Sequence, residues 1–461
     1  MKIRFLRSMR NALVIVIVCL SVSLLYDVYK EPIDRLLHLD QTETNETTET
    51  GNRKQKTKKQ AQKPDGQQEE GLPSAYDGRM TGKAPEVKNQ GTFGTCWAVV
   101  TSSALESRLL PQEDIIFSAD HISTQNSYAI GQEEGGAYNI AIAYLTAWQG
   151  PVTEEMDPYG DGVTPEGLSP VKHVQEVQIA EDKDFDAIKE MIYRYGAVQS
   201  SIYMDMGGTK VTSEYYDPEN TSYYYNGEDE VNHDILIIGW DDDYPAENFT
   251  KTPSKNGAFL CQNSWGEGFG DGGRFYVAYD DTQIGRNCVA YTRIDGMDNY
   301  DHLYQTDLCG WVGNMGYKKE SCWFANAYTA DSTQTLRAVG FYATGPESDY
   351  EIYVAADFKN EMSLVLPKKI QKGHLERKGF YTIDLKKEIP IAEGERFAVM
   401  VKINTPGSDY PVAMEYRADD QTANVNLEDG CGYVSVDGYR WSRIEEEYGG
   451  NICLKAYTDN R

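Results

Sequence analysis

One cysteine in this sequence has surroundings that favour nucleophilic chemistry. Cys96 follows a loop that contains Gly91 and Gly94, and it precedes apolar residues at helical spacing. This pattern predicts that Cys96 lies in the first turn of a buried helix. Unpaired backbone N–H groups and the helix dipole there favour the thiolate, the reactive form of cysteine. A cysteine near a helix start is weak evidence by itself, because cysteine is among the most buried residue types.

The residues around Cys96 strengthen this interpretation. Gln90 lies upstream, Trp97 follows at once, and His233 and Asn263 stand far downstream. The segment Phe93-Gly94-Thr95-Cys96-Trp97 resembles the signature of the papain-like cysteine peptidases. It departs from the family pattern at Phe93, where a cysteine is usual, and at Thr95, which is slightly larger than usual.

The resemblance implies a catalytic role for four residues: Cys96, His233, Asn263 and Gln90. Cys96 would attack the scissile carbonyl as a thiolate and form a thioester, and His233 would protonate the leaving amine and later activate water. Asn263 would accept a hydrogen bond from the far ring nitrogen of His233 and fix its orientation. The side-chain amide of Gln90 would stabilise the oxyanion together with the Cys96 backbone N–H.

Four further residues are predicted to form the substrate site. Gly135 and Gly136 match the paired glycines that hydrogen-bond the substrate backbone in the family, and a flexible turn is the alternative. Trp265 would cover the hydrogen bond between His233 and Asn263. Asp234 stands where the family commonly has a small residue, on the wall of the pocket for the second residue before the cut. A carboxylate there could select a basic side chain; the alternative is a solvated or strand-edge aspartate.

The elements that must position these residues can be predicted from local patterns. Ser118 reads as the N-cap of a second helix, 138–148 has helical spacing, and 188–195 is a helix that Gly196 ends. Strands are predicted over 197–203, 234–240 and 258–263. His121 is interpreted as a helix-surface or packing residue, whereas His173, His302 and His374 are expected on the surface.

From about residue 298, short strands alternate with turn signals. The predicted strands are 336–342, 350–355, 380–385, 397–403, 412–416, 434–436, 439–444 and 452–457, with Asp437-Gly438 as a tight hairpin turn. Their order resembles the lectin-like jelly-roll domain that follows the peptidase in surface cysteine proteases of clostridia-type bacteria. The predicted fold class is therefore α+β: a papain-like peptidase with a helical and a β-barrel lobe, followed by an all-β jelly-roll-like sandwich.

Length and composition are consistent with two folded domains and a tail. The chain has 461 residues and a net charge of −28, which argues against nucleic-acid binding by its body. Basic residues at the start, followed by the apolar run 12–26, predict an export signal, with an uncleaved anchor favoured over a cleaved signal peptide. The predicted domains are 1–28 (signal anchor or signal peptide), 29–71 (disordered polar linker), 72–297 (peptidase) and 298–461 (lectin-like sandwich).

The remaining cysteines suggest disulfides in an exported protein. Apart from Cys19 in the signal and Cys96, they are Cys261, Cys288, Cys309, Cys322, Cys431 and Cys453. Plausible local pairs are Cys309 with Cys322 and Cys431 with Cys453, and free buried thiols are the alternative.

The sequence thus predicts an exported cysteine endopeptidase at or near the surface of a Gram-positive bacterium. Its expected partners are protein or peptide substrates, the membrane through the N-terminal segment, and cell-wall polysaccharide through the C-terminal domain. No cofactor is predicted; structural calcium is conceivable at the acidic loop Asp241–Asp243, where a solvated turn is favoured. The alternatives are a surface adhesion or carbohydrate-binding protein with a vestigial peptidase, and an acyl transferase that uses the same thioester.

Overall fold

The computed structural model describes residues 71–205, 213–365 and 367–461. The predicted export segment, and the predicted linker as far as residue 70, lie outside these residues. In the described part of the chain, no helix is both long and apolar enough to cross a membrane. The α-helices are α1 Cys96–Leu109, α2 Ala119–Thr124, α3 Tyr138–Thr146, α4 Phe185–Tyr195 and α5 Ile444–Glu447.

The helix that starts at Cys96 is a core element. Nearly every residue of α1 is buried, including polar ones such as Glu106. Glu106 forms a 2.6 Å ion pair with Lys88 and also accepts a hydrogen bond from the Phe117 N–H. A helix buried on all sides is fixed in position by its neighbours, so its first residue is held as well.

The other predicted helices are also present. Ser118 caps α2 by accepting a hydrogen bond from the His121 N–H, and Gly196 ends α4. His121 is 4% exposed and its Nδ1 lies 2.6 Å from the Tyr144 hydroxyl, so its interpretation as a packing residue is confirmed.

Nine strands lie in residues 71–205 and 213–297 of the described chain, together with α1 to α4. They are β1 Ala75–Asp77, β2 His173–Ile179, β3 Val198–Ile202, β4 Tyr216–Asp217, β5 Ser222–Tyr223, β6 His233–Asp241, β7 Ala258–Gln262, β8 Arg274–Ala278 and β9 Arg286–Asp295. Their order is β2-β9-β3-β6-β7-β8-β5-β4, and β1 also pairs with β6. The central position of β6 buries it on both faces, which agrees with its continuous apolar sequence.

The C-terminal part is built from strands in layers. The strands are β10 His302–Tyr304, β11 Gly313–Met315, β12 Ser321–Thr329, β13 Gln334–Ala343, β14 Ser348–Ala355, β15 Lys368–Leu375, β16 Lys378–Ile391, β17 Arg396–Asn404, β18 Val412–Tyr416, β19 Gly432–Ser435, β20 Ser442–Arg443, β21 Gly450–Ile452 and β22 Leu454–Asn460. One sheet has the order β15-β14-β17-β12-β19-β20, a second runs β10-β22-β13-β16, and β11-β18-β21 form a third. Phe324 and Val399 of the first sheet share a core with Phe341 and Leu454 of the second. This is the predicted all-β sandwich.

The two parts of the chain share one sheet. Strand β16 of the C-terminal part pairs with β2 of the N-terminal part, with Lys378 opposite Ile179 and Tyr381 opposite Glu176. The result is a single 13-stranded sheet. The cluster of buried apolar residues beneath it also spans both parts, and it includes Ala143 of α3 together with Phe380 of β16. The two parts are therefore joined by a common core and not only by the segment of chain between them.

Several local expectations are wrong. The predicted strand 439–444 is a loop, the short β20 and the start of α5, because Asp437 accepts hydrogen bonds from the backbone N–H groups of Tyr439 and Arg440 and closes a turn. His173 is not a surface residue: it is 3% exposed, and its ring stacks on Trp148 with centroids 3.6 Å apart.

The cysteines of the described residues are all free. The two suggested disulfides are absent, because the partners lie in separate surroundings. The Cys309 thiol contacts the Ser127 carbonyl at 3.6 Å, and the Cys322 thiol contacts the Ser435 carbonyl at 3.7 Å. Five of the seven are fully buried, whereas Cys96 and Cys431 are half-buried.

Candidate active site

Cys96 is mounted on a loop–helix junction that is held from several sides. Thr95 makes no side-chain cap at the start of α1, and its hydroxyl instead pairs with the hydroxyl of Tyr159. Tyr159 also donates a hydrogen bond to the Gln90 carbonyl at 2.9 Å. Gly91 has a φ of +66°, which glycine adopts without strain, so the loop can turn into the helix. The backbone that carries the thiol is therefore fixed.

His233 and Asn263 are brought together by neighbouring strands. His233 begins β6, Asn263 directly follows β7, and the two strands pair. The Nε2 atom of His233 lies 2.8 Å from Oδ1 of Asn263. The same oxygen accepts the N–H of Ser264 at 2.8 Å, which orients the amide oxygen towards the ring. Nε2 is thus the donating nitrogen, and Nδ1 is left to act as a base.

Trp265 lies beside this pair. Its ring centroid is 4.9 Å from that of His233, and it packs edge-on against Phe269 with centroids 5.3 Å apart. The backbone of Trp265 forms a bridge with Asn89, in the loop that leads to Cys96. The indole therefore covers the imidazole and links the two walls of the site.

Burial dominates the electrostatics of the thiol and the imidazole. Burial, followed by the neighbouring Asp234 carboxylate, raises the pKa of the Cys96 thiol to about 12, while the backbone groups of Asp234 and Trp97 act in the opposite direction. Burial also lowers the pKa of His233 to about 4, against a smaller upward effect of Asn263. The helix start favours the thiolate as expected, but burial outweighs it. Burial therefore opposes charge on the thiol and on the imidazole in this structure.

The backbone of Asp234 links the Cys96 thiol to the start of β6. It lowers the pKa of the Cys96 thiol through a hydrogen bond, and Asp234 is the residue that directly follows His233. The thiol therefore lies against the start of β6, the strand that also carries His233.

Gln90 is held over the start of α1. Its Oε1 accepts the Ser264 hydroxyl at 2.5 Å, and its Nε2 donates to the Phe93 carbonyl at 2.8 Å. Its backbone N–H also donates to the Ser264 carbonyl. A primary amide has two N–H groups, so one of them remains for an oxyanion next to Cys96.

Gly135 and Gly136 lie against the loop that carries Cys96 and form a second wall of the site. A Cβ on Gly136 would lie 2.5 Å from the ring of Trp97, and a Cβ on Gly94 would lie 2.8 Å from the Gly135 nitrogen. The paired glycines therefore pass directly over the loop and the first turn of α1. Their close approach leaves the backbone of this segment next to Cys96, where an extended substrate could pair with it.

Asp234 is buried behind the thiol. Its Oδ1 accepts the Ser201 hydroxyl at 2.7 Å and its Oδ2 accepts the Gln199 amide at 2.8 Å, and the residue is 7% exposed. Burial raises the pKa of its carboxyl group, and these two hydrogen bonds oppose the rise. The interpretation of Asp234 as a solvated residue is wrong. Selection of a basic substrate side chain stays a prediction, because that contact would have to compete with both hydrogen bonds.

Three residues that support the site had no predicted role. Ser264 holds Gln90 and orients Asn263, Tyr159 braces the loop before Cys96, and Gln199 joins Asp234 to the Trp97 carbonyl. Ser264 directly follows the predicted catalytic Asn263, so its position beside that residue could have identified it. Nothing local marks Gln199, since its contacts depend on the pairing of β3 with β6.

No group of three or more His, Cys, Asp or Glu side chains that could hold a metal ion occurs in the described part of the chain. In the acidic loop, Asp242 accepts hydrogen bonds from Lys189 at 2.5 Å and from the Tyr279 hydroxyl at 2.7 Å. A single cation-paired carboxylate does not resemble the multi-oxygen shell that calcium requires.

The assembled groups can perform acyl transfer. The site contains a thiol, an imidazole with a fixed donor direction, and the side-chain amide of Gln90, which has one N–H left to donate. Such a set suits attack on a carbonyl, stabilisation of the resulting oxyanion, and protonation of a leaving group.

Comparison with protein families supports this chemistry. The papain family cysteine protease model matches residues 72–293, and the lectin like domain model matches residues 303–458. Among curated relatives, cathepsin K of Mus musculus is 28% identical over 223 residues and a cathepsin L-like protein of Caenorhabditis elegans is 27% identical over 223 residues. Each alignment covers 45% of this chain and 60% or 59% of the relative, so the chain spans about three fifths of these relatives.

Two solved structures of Cwp84 are similar over both parts of the chain. The clostridial cysteine protease Cwp84 after propeptide cleavage has a TM-score of 0.74 at 24% identity, over 84% of this chain and 100% of that one. The cysteine protease and lectin-like domains of Cwp84, a surface layer associated protein of Clostridium difficile, give 0.72 at 24% identity, over 84% and 89%. The predicted fold class is confirmed. Residues 72–293 thus match the papain family of cysteine proteases, and residues 303–458, which follow them, match a lectin-like domain.

Proposed function

We propose that this protein is an endopeptidase that hydrolyses peptide bonds through a thioester on Cys96. One observation carries the proposal: Asn263 holds the His233 imidazole at 2.8 Å on the strand end that meets Cys96. The family match of residues 72–293 supports the same activity. Catalytic roles are assigned to Cys96, His233, Asn263 and Gln90, and substrate contact to Gly135 and Gly136.

The proposed reaction begins with proton transfer from the Cys96 thiol to Nδ1 of His233. The sulfur attacks the scissile carbonyl, and the oxyanion receives hydrogen bonds from the free N–H of Gln90 and from the Cys96 backbone. Imidazolium then protonates the leaving amine, the C–N bond breaks, and the acyl group stays on sulfur as a thioester. Water, deprotonated by His233, releases the acid and regenerates the thiol. Each oxyanion donor is worth about 3 kcal/mol of barrier.

Burial has a consequence for this reaction. Since burial opposes charge on the thiol and the imidazole, the proposed mechanism places formation of the ion pair at substrate binding, when the oxyanion donors are engaged. Asn263 assists because its oxygen stabilises the positive charge on the ring.

We further propose that the protein acts outside the cell, at or near the cell surface. The basic start and the apolar run 12–26 support export, and residues 29–71 would serve as a spacer. In this proposal the peptidase domain is 72–297 and the sandwich is 298–461, its substrates are surface proteins or peptides, and the sandwich contacts wall polysaccharide. Membrane attachment would depend on the N-terminal segment.

An active-site titration tests the peptidase proposal. Incubation with an epoxide thiol inhibitor should add one inhibitor mass to the Cys96 peptide and abolish hydrolysis of a denatured protein substrate. Cys96→Ala should lose both. Cys431→Ala is the matched control, because Cys431 is the other half-buried cysteine of the described residues, and it should keep both. Undiminished hydrolysis by the Cys96→Ala variant would refute the proposal.

A further inference from the structure

A pocket of about 270 Å³ lies where the two domains meet. The helical wall is formed by Tyr138 and Ile142 of α3, and Ile179 of β2 closes one side. The other wall comes from the lectin-like domain: Trp311, Val312 and Tyr342. None of these residues belongs to the proposed catalytic set, and the pocket exists only because the second domain is present.

This pocket lies close to the glycine wall of the substrate site. Gly136 passes over Trp97 next to the nucleophile, and Tyr138 follows only two residues later, within about 7 Å along the chain. Burial raises the pKa of Tyr138, and the nearby carboxylates of Asp182 and Asp234 add to the rise. Tyr138 thus stands between the pocket and Asp234, whose backbone contacts the Cys96 sulfur.

The position of His233 decides which half of a substrate runs in this direction. His233 must protonate the leaving amine, and Trp265 lies beside it, with a backbone bridge to Asn89. The leaving half of the substrate therefore runs past Trp265. The acyl half, which stays on the sulfur, runs the opposite way, past Gly135, Gly136 and Tyr138.

The lining of the pocket defines the chemistry of its occupant. Its walls are mostly aromatic rings and branched apolar side chains. At the rim, the Asn139 amide donates to the Tyr128 hydroxyl at 3.3 Å and the Trp311 indole N–H donates to Asn314 at 2.7 Å. The buried Tyr342 hydroxyl has no hydrogen-bond partner among the described residues, and no charged side chain lines the pocket. The pocket therefore suits one large apolar side chain, with no charge to be paired.

The wall from the second domain is held in place. The Val312 N–H donates to the Met414 carbonyl at 3.1 Å, and the Trp311 and Tyr342 rings pack with centroids 5.7 Å apart. The Tyr128 hydroxyl donates to the Cys309 carbonyl at 2.8 Å, which ties the segment before Trp311 to the peptidase domain. Such contacts preorganise a binding surface and reduce the entropy lost when a side chain enters.

We propose that the lectin-like domain completes the substrate-binding site of the peptidase domain. Trp311 and Val312 form, with Tyr138 and Ile142, a subsite for a large apolar side chain two to four residues before the scissile bond. This inference rests on the proposed peptidase function for the direction of the substrate, and it makes Trp311 a specificity-determining residue.

The test uses pairs of peptides that differ at one position. Each pair has Leu or Ala at the second, third or fourth residue before the cut. The full chain should prefer Leu at one of these positions, and Trp311→Ala should lower that Leu-to-Ala ratio of kcat/KM about tenfold. Val312→Phe should fill the pocket and also lower the ratio. Tyr439→Ala, at an exposed residue of the same domain, is the control and should retain the parent ratio. A structural defect would lower both rates alike, and an unchanged ratio in the two pocket variants overturns the inference.

Peptide binding separates this inference from the proposed function. The Cys96→Ala variant should bind peptides without cutting them. Calorimetry on this variant, and on the double variant that also carries Trp311→Ala, measures the dissociation constants of the Leu and Ala peptides. Their ratio in each variant reports the preference for Leu in binding alone. A ratio that falls about tenfold with Trp311→Ala supports the subsite even if the parent chain cuts no peptide. Equal ratios in the single and double variants would overturn the subsite while leaving the peptidase proposal intact.

Discussion

At the scale of single residues, the unusual group is the carboxylate behind the nucleophile. Asp234 lies beside Cys96 and raises the pKa of its thiol, so it opposes formation of the thiolate. The same negative charge would favour the imidazolium of His233 once the proton has moved. Ser201 and Gln199 hold the carboxylate with two hydrogen bonds, so the charge is fixed in place. Asp234 therefore sets the balance between the neutral pair and the ion pair.

Replacement of this carboxylate should change the reactivity of the thiol. Asp234→Asn keeps the shape and can still accept from Gln199 while donating to Ser201, but it removes the negative charge. The pKa of the Cys96 thiol should fall, so its alkylation by iodoacetamide should begin at lower pH than in the parent chain. Mass spectrometry of the Cys96 peptide over a pH series measures this shift. Asp243→Asn, in the exposed acidic loop, should not change the profile, and an unchanged profile in Asp234→Asn would contradict the role of the buried charge.

At the scale of elements, the close approach of two glycines to α1 determines the width of the cleft. Gly136→Ala would place a methyl group 2.5 Å from the fully buried ring of Trp97, which cannot move aside. The segment must then shift away from Cys96, and kcat/KM should fall about tenfold, mainly through KM. The matched control is Gly131→Ala in the same loop, where the nearest atom is 3.8 Å away. Peptide hydrolysis and thermal unfolding measure both variants; equal kinetics for the two would show that the cleft tolerates the shift.

Elements with strong local signals were predictable from the sequence. The loop glycines and apolar spacing located α1, and the continuous apolar run located β6, so the relation of Cys96 to a helix start and of His233 to a strand start followed directly. Other features depend on distant pairing. The burial of His173 requires Trp148, and Gln199 reaches Asp234 only because β3 lies beside β6. The helix start was expected to lower the pKa of the Cys96 thiol, but burial raises it. This burial likewise depends on the assembled core.

At the scale of the whole molecule, the sequence indicated two successive domains and the structure joins them. Phe380 of β16 lies opposite Val177 of β2, and the shared core includes residues of both domains. Neither strand carries a signal for this partner, because strands β3 to β15 lie between them in the chain. A shared sheet and a shared core predict that the described domains unfold together. They also explain how the second domain can supply a rigid wall to the substrate cleft.

The strand pairing between domains can be broken at a single position. A Cβ on Gly379 would lie 2.0 Å from the Val177 carbonyl oxygen, a clash with backbone that only separation of β16 from β2 can relieve. Gly379→Ala should therefore cost about 3 kcal/mol of unfolding free energy and split one thermal transition into two. Gly407→Ala, with a φ of +76° and open space around it, should cost about 1 kcal/mol and leave one transition. Calorimetry decides: a single transition of nearly parent stability in Gly379→Ala would mean that the shared sheet does not couple the domains.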